Sequence, residues 1–154
     1  MKPFNFGLEK VLNLKKYYED EAKIELGRAT GILAELEARL QALGRERVKT
    51  LHVQFAPHNS ADEIRLYTDY LVRLDNMTEQ LLREIAAAEL KVEEARQVFL
   101  EASRERKVFD KLKDKRQKEY RKIMLNEETK VLDDISSGNF AGHESFSGRE
   151  SLAG

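Results

Sequence analysis

The sequence contains no cysteine and no tryptophan, and only two prolines among its 154 residues. Without cysteine there is neither a disulfide scaffold nor a thiolate metal site. With so few prolines, little interrupts a long helix. An excess of one charge is missing too, since 27 basic and 28 acidic side chains leave a formal net charge of −1. A protein that coats nucleic acid would show a strong basic excess, and an acidic disordered activator the reverse. No run approaches the ~18 consecutive apolar residues of a membrane-crossing helix. The opening residues, Met1 to Gly7, lack the apolar core of a signal peptide. These absences predict a protein used in the cytoplasm, with no direct membrane insertion.

What the chain has in abundance is charge and helix formers. Charged residues make up 36% and hydrophobic residues 41%. Much Ala, Glu, Lys, Leu and Arg with a hydrophobic repeat is the signature of long helices and coiled coils. Such a chain buries a seam along its length in place of a globular core.

The first helix is expected from about Phe6–Leu8 to about Arg47. Its seam positions are Leu12, then Ala22, Leu26, Ala29, Leu33, Leu36, Leu40 and Leu43, a four-three alternation that defines heptads. Lys15 and Glu19 stand where core residues would be. Val48 to Asn59 reads as the connection, with Thr50, Val53, Phe55 and Pro57 replacing the helix formers. Ser60-Ala61-Asp62-Glu63 is a capping box that opens the next helix. The second helix then runs from Ala61 to about Ile135. Its seam is Ile64, Tyr67, Leu71, Leu74, Thr78, Leu81, Ile85, Ala88, Val92, Ala95, Phe99 and Ala102. Further on, the same positions hold Arg106, Phe109, Lys113, Arg116, Tyr120 and Ile123, and the seam decays. Residues 136–154 are rich in Ser and Gly and are expected to be disordered.

A lone amphipathic helix is marginal in water, so the two stripes should cover each other. The expected fold is all-α: a long two-helix antiparallel coiled-coil hairpin over residues 1–135, with a C-terminal single-helix extension and a disordered tail. Matching the seams across a dozen-residue loop sets Leu43 near Tyr67, Leu33 near Thr78, Leu26 near Ile85 and Leu8 near Ala102. At 1.5 Å per residue the helices would span roughly 60 and 110 Å, which leaves Arg104 to Asp134 without an internal partner.

Nothing in this pattern calls for catalysis, a metal or a cofactor. His52, His58 and His143 lie in the loop and tail, none at metal-ligand spacing from another ligand. No glycine-rich phosphate loop, nucleophile elbow or metal-binding helix motif occurs. Two helices also form no enclosed pocket of the kind substrates need.

Two regions read as binding surfaces. Glu101 to Lys122 holds ten basic residues against five acids, among them Arg104, Arg106, Lys107, Lys111, Lys113, Lys115 and Arg116. A solvated helix with pairs such as Asp114–Lys118 is the plain alternative. The position of this run in the unpartnered extension favours a protein partner, and the interleaved acids argue against nucleic acid. Leu51, Val53 and Phe55 in the loop, with Tyr67, Tyr70, Leu71 and Leu74 beside it, either fold over the hairpin end or form a partner-binding tip.

The opening Phe4-Asn5-Phe6-Gly7-Leu8-Glu9-Lys10-Val11-Leu12, followed by Tyr18-Glu19-Asp20-Glu21-Ala22, resembles the start of the bacterial flagellar export protein FliJ family. So do Lys111-Leu112-Lys113-Asp114-Lys115 with Glu119-Tyr120, and the close Asn126-Glu127-Glu128-Thr129-Lys130-Val131-Leu132-Asp133-Asp134. The likeness covers residue 1 to about 135 in order and spacing. It implies a stalk of the flagellar type III export apparatus, similar to the coiled coil of the rotary ATPase gamma subunit. By that resemblance the partners are the hexameric flagellar export ATPase, which receives the stalk in its central hole, and the cytoplasmic domain of the export-gate membrane protein. Some members also handle export chaperones. The expected location is cytoplasmic, peripheral at the inner face of the inner membrane. Carried onto this chain, Tyr67, Tyr70, Leu71 and Leu74, with Phe55 in the loop, would meet the gate. Arg104, Arg106, Lys107, Lys111, Lys113, Lys115 and Arg116 would meet the ATPase ring. The apolar loop and the Ser/Gly tail depart from the family pattern. The alternatives are a coiled-coil spacer, a stalk of a non-flagellar injectisome or rotary ATPase, and a nucleic-acid-binding helix.

Overall fold

Strong helix formers with few breakers give two long helices, α1 (Glu9–Gln54) and α2 (Ala61–Glu144). The computed structural model describes residues 2–144, with side chains as far as residue 138. Among these there is no strand. The capping box forms: the Ser60 amide donates to Glu63 Oε2 at 2.6 Å, and the Glu63 amide to Ser60 Oγ at 3.3 Å. The first of these bonds holds the Glu63 carboxyl below the usual carboxylate range. At the other side of the connection, the Asn59 side-chain amide donates to the carbonyls of Val53 and Gln54. The Gln54 carbonyl at the end of α1 is thereby satisfied, and the Val53 carbonyl, which also accepts from the Ala56 amide, gains a second donor.

Packing divides the described chain into two units, one from Asn13 to Arg106 and one joining Met1–Leu12 to α2 from Lys107 onward. In the first, the helices run antiparallel over a coiled-coil seam. Leu36, Leu81, Ile85 and Ala88 form its buried cluster, flanked by Leu33, Leu40 and Leu43. Each fully buried aliphatic side chain contributes about 1.5–3 kcal/mol, so this cluster is the main source of cohesion. The seam positions expected on α2 from Tyr67 to Ala102 are all buried or half-buried.

The register differs from the expectation by about three helical turns. Gln54 Nε2 donates to Thr68 Oγ1 at 2.8 Å, Arg47 pairs with Asp75 at 2.8 Å, and Lys15 pairs with Glu105 at 2.7 Å. Leu43 is therefore set against the Leu81–Ile85 cluster, and Tyr67 lies away from it. The cause is the end of α1. Its seam continues past Arg47 through Thr50 and Gln54, both buried although polar. Thr50 Oγ1 donates to the Glu46 carbonyl at 2.8 Å, so its hydroxyl is satisfied inside the helix. A seam that turns polar looks like a loop in sequence, and the connection is in fact only residues 55–60. Ile64 is left exposed for the same reason, because Thr68 already faces the last residue of α1.

The second unit is built from aromatic and basic side chains. Lys113 Nζ lies 2.8 Å from Glu9, and the Arg116 guanidinium sits 5.7 Å from the centre of the Phe6 ring. The Phe4 and Tyr120 rings are 5.6 Å apart, and the Tyr120 hydroxyl donates to the Lys2 carbonyl. Phe6 and Leu12 are buried. The N-terminal segment thus covers α2 as far as Tyr120, and the uncovered stretch begins well beyond Arg104. Side chains from Leu125 to Gly138 are all exposed. α2 continues to Glu144, through residues expected to lie past its end, while residues 145–154 of the expected tail lie outside the described residues.

Candidate partner-binding surfaces

No group of three or more metal-ligating side chains occurs among the described residues. No helix among them is long and apolar enough to cross a membrane. His52 and His58 are exposed, and the side chain of His143 lies outside the described residues. The surfaces that remain are the faces of the helices.

Near the connection, Phe55 is 78% exposed and is the most accessible large apolar side chain among the described residues, with Val53, Ile64 and Leu66 also exposed. Tyr67, Tyr70 and Leu71 are half-buried. The Tyr70 hydroxyl donates to Glu46 Oε1 at 3.3 Å, which ties this ring to α1. Leu74 is only 3% exposed and packs inward, so it supports this region from below and offers no surface. Of the residues assigned to gate binding, Phe55 is the one fully presented.

The basic set separates in a similar way. Arg106 pairs with Glu19 and is half-buried, with Arg104 exposed nearby on the same helix. In the other unit Lys113 is held by Glu9 and Arg116 lies over Phe6. Lys107, Lys111 and Lys115 are exposed and carry no ion pair among the described residues. Their four-residue spacing aligns them on one face of α2. Lys15 and Glu19, which interrupt the apolar seam of α1, prove to be the partners of Glu105 and Arg106.

Two grooves along the Asn13–Arg106 pair were not found in the sequence. One, of about 560 Å³, is lined by Arg39, Ala42, Leu43, Met77, Leu81 and Glu84 among others. Its outward signal is Met77, an exposed apolar residue off the seam. The other, of about 550 Å³, runs between Tyr18–Glu25 and Ala95–Glu105.

The described residues thus define a two-helix coiled coil whose surface consists of exposed faces and shallow grooves. The comparisons with known proteins add a family. The family model described as "Flagellar FliJ protein" matches residues 4–145. The chain belongs to the flagellar FliJ protein family, and so to the components of type III protein export. It is similar in structure to a putative YscO homologue from Chlamydia trachomatis, with 20% identity and a TM-score of 0.60 over 93% of this chain and 99% of that one. At that identity the likeness is one of fold. No curated protein matches the sequence.

Proposed function

We propose that the chain is a non-catalytic stalk of the flagellar export apparatus, bound to the hexameric export ATPase and to the cytoplasmic domain of the export gate. In this role it couples ATP hydrolysis to the export of flagellar proteins and serves as a contact for export chaperones. It acts in the cytoplasm, at the inner face of the membrane that holds the gate. Family membership over residues 4–145 is the observation that carries this reading. An antiparallel helix pair with an exposed aromatic end and a lysine face suits a part that joins two larger proteins.

The gate contact falls to Phe55, supported by Tyr67, Tyr70 and Leu71, because a single exposed aromatic often anchors an interface. The ATPase contact falls to Lys107, Lys111 and Lys115, and the family resemblance adds Arg104. Arg106, Lys113 and Arg116 act there through the packing they maintain.

The test is a binding assay with the purified ATPase and the gate domain. Lys107→Glu, Lys111→Glu and Lys115→Glu together should weaken ATPase binding and abolish its stimulation, with helix content and gate binding intact. Surface charges are each worth only ~0–1 kcal/mol, so the three must be changed at once. Phe55→Ala should do the converse. A triple variant that stimulates the ATPase as wild type does would remove the lysine face from the proposal. Failure of the wild-type chain to bind either protein would remove the stalk reading itself.

A further inference from the structure

The groove between Tyr18–Glu25 and Ala95–Glu105 has a floor and a rim of different chemistry. Its floor is Ala22, Ala95 and Ala102, small side chains that leave room above the seam. Its walls are Tyr18 and Val98, exposed by 49% and 59% although both are apolar. Glu21, Glu25, Glu101 and Glu105 line it as well. Two of these acids are already neutralised, Glu25 by Arg28 and Glu105 by Lys15. The Glu21 and Glu101 carboxylates have no ion pair and no hydrogen bond among the described residues. On α1 exposed Leu14 lies one heptad before Glu21 and exposed Ile32 one heptad after Glu25, which continues the same flank.

We infer that this groove is a docking site for a basic amphipathic helix of a partner protein, which lies along the pair as a third strand of the coiled coil. Three features select that occupant. The groove runs along two helices, and a third helix is the element that fits such a trough by inserting side chains into its gaps. An alanine floor accepts large knobs such as Leu or Phe, which bury Tyr18 and Val98 at the same time. The unpaired Glu21 and Glu101 call for Lys or Arg on the flanks of the incoming helix, and would repel an acidic one. This site is separate from both contacts proposed above, and it stands or falls independently of the export role.

The experiment uses the full chain and a pair of synthetic peptides with the same leucine heptads, one flanked by lysine and the other by glutamate. Binding is followed by fluorescence anisotropy, with sedimentation velocity of the protein alone in parallel. The lysine peptide should bind one to one and weaken as salt rises, and the glutamate peptide should not bind. Glu21→Lys with Glu101→Lys, and separately Val98→Asp, should each weaken binding about tenfold or more. Glu37→Lys with Glu89→Lys makes the same charge change at exposed sites outside the groove and should leave binding unaltered. The inference is overturned if the groove variants bind as tightly as wild type, if the two charge-control substitutions weaken binding equally, or if both peptides bind alike. It is also overturned if the protein alone dimerises through residues that Val98→Asp disrupts, because the occupant would then be a second copy offering its own lysine-rich helix.

Discussion

The middle of the Asn13–Arg106 pair and its two ends are held together by different chemistry. The middle is Leu36, Leu81, Ile85 and Ala88 with their leucine flanks. One end is polar, with Gln54 bonded to Thr68, Glu46 to Tyr70 and Arg47 to Asp75. The other end joins Lys15 to Glu105 and Glu19 to Arg106. An apolar seam supplies cohesion but is nearly indifferent to sliding, since one leucine layer resembles the next. Polar pairs add little cohesion and much specificity, because a slip leaves a half-buried charge or amide without its partner. The middle sets how firmly the helices adhere, and the ends set which turn faces which.

The largest effect should come from breaking the middle. Ile85→Asp places an unpaired charge in the buried cluster, where nothing can compensate it. A loss of several kcal/mol is expected, close to the whole stability of a small helical pair. Thermal denaturation followed by circular dichroism should show the cooperative transition lost or greatly lowered. If the melting temperature barely moved, the cluster would not be the source of cohesion.

Next in size is the ion pair at the far end. Glu19 and Arg106 are both largely shielded, with side chains 17% and 25% exposed. Glu19→Arg alone or Arg106→Glu alone should cost about 1–2 kcal/mol by leaving two like charges together. The double swap should recover most of that loss, and urea unfolding of all four proteins would give the coupling energy directly. Additive losses would mean that the two side chains do not act as a pair.

Seam membership was legible in the sequence and register was not, for the reason this comparison gives. Tyr67 to Ala102 could be assigned from apolar spacing alone, since burial follows the repeat. The partners of those residues depend on where α1 ends, and that end is built from Glu46, Thr50 and Gln54. Polar seam residues carry no hydrophobic signal, so the helix reads as finished at Arg47. The same blindness hid the N-terminal cover on α2. Phe4 and Phe6 precede α1, and no heptad argument reaches residues outside a helix. As a result the free stretch of α2 appeared to begin at Arg104. Of the candidate surfaces, the basic run and Phe55 were visible as composition. The grooves were not, because they arise only where two helices meet.

Register can be tested without altering stability much. The chain has no cysteine of its own, so introduced pairs report proximity without background. Gln54→Cys with Thr68→Cys should crosslink readily under mild oxidation. Leu43→Cys with Tyr67→Cys, the pair implied by apolar spacing, should not. In a Thr50→Leu background the first crosslink should slow and the second should appear at low level, because an apolar end no longer penalises a slip. Crosslinking of the Leu43 and Tyr67 positions in the wild-type background would show that the polar end does not fix the register.

The smallest effect belongs to the capping box, and it separates the start of α2 from the pairing of the helices. Hydrogen bonding from Ser60 holds the Glu63 carboxyl below its ordinary range in the folded chain. A group whose pKa is depressed by folding contributes stability that is complete above its unfolded value and lost as pH falls through its folded one. Acidification through that window should therefore loosen the first turn of α2 before the apolar middle responds. Amide exchange at Asp62 and Glu63 is the suitable probe, because a fraying turn hardly changes total helix content. Glu63→Gln keeps a side-chain acceptor for the Ser60 amide but cannot titrate, so exchange there should become nearly independent of pH over the same range once intrinsic chemistry is corrected. If the wild type and Glu63→Gln gave the same profile, the carboxylate would not be what secures this turn. Early exchange spreading to Leu81 and Ile85 would mean that the end and the middle are not energetically separate.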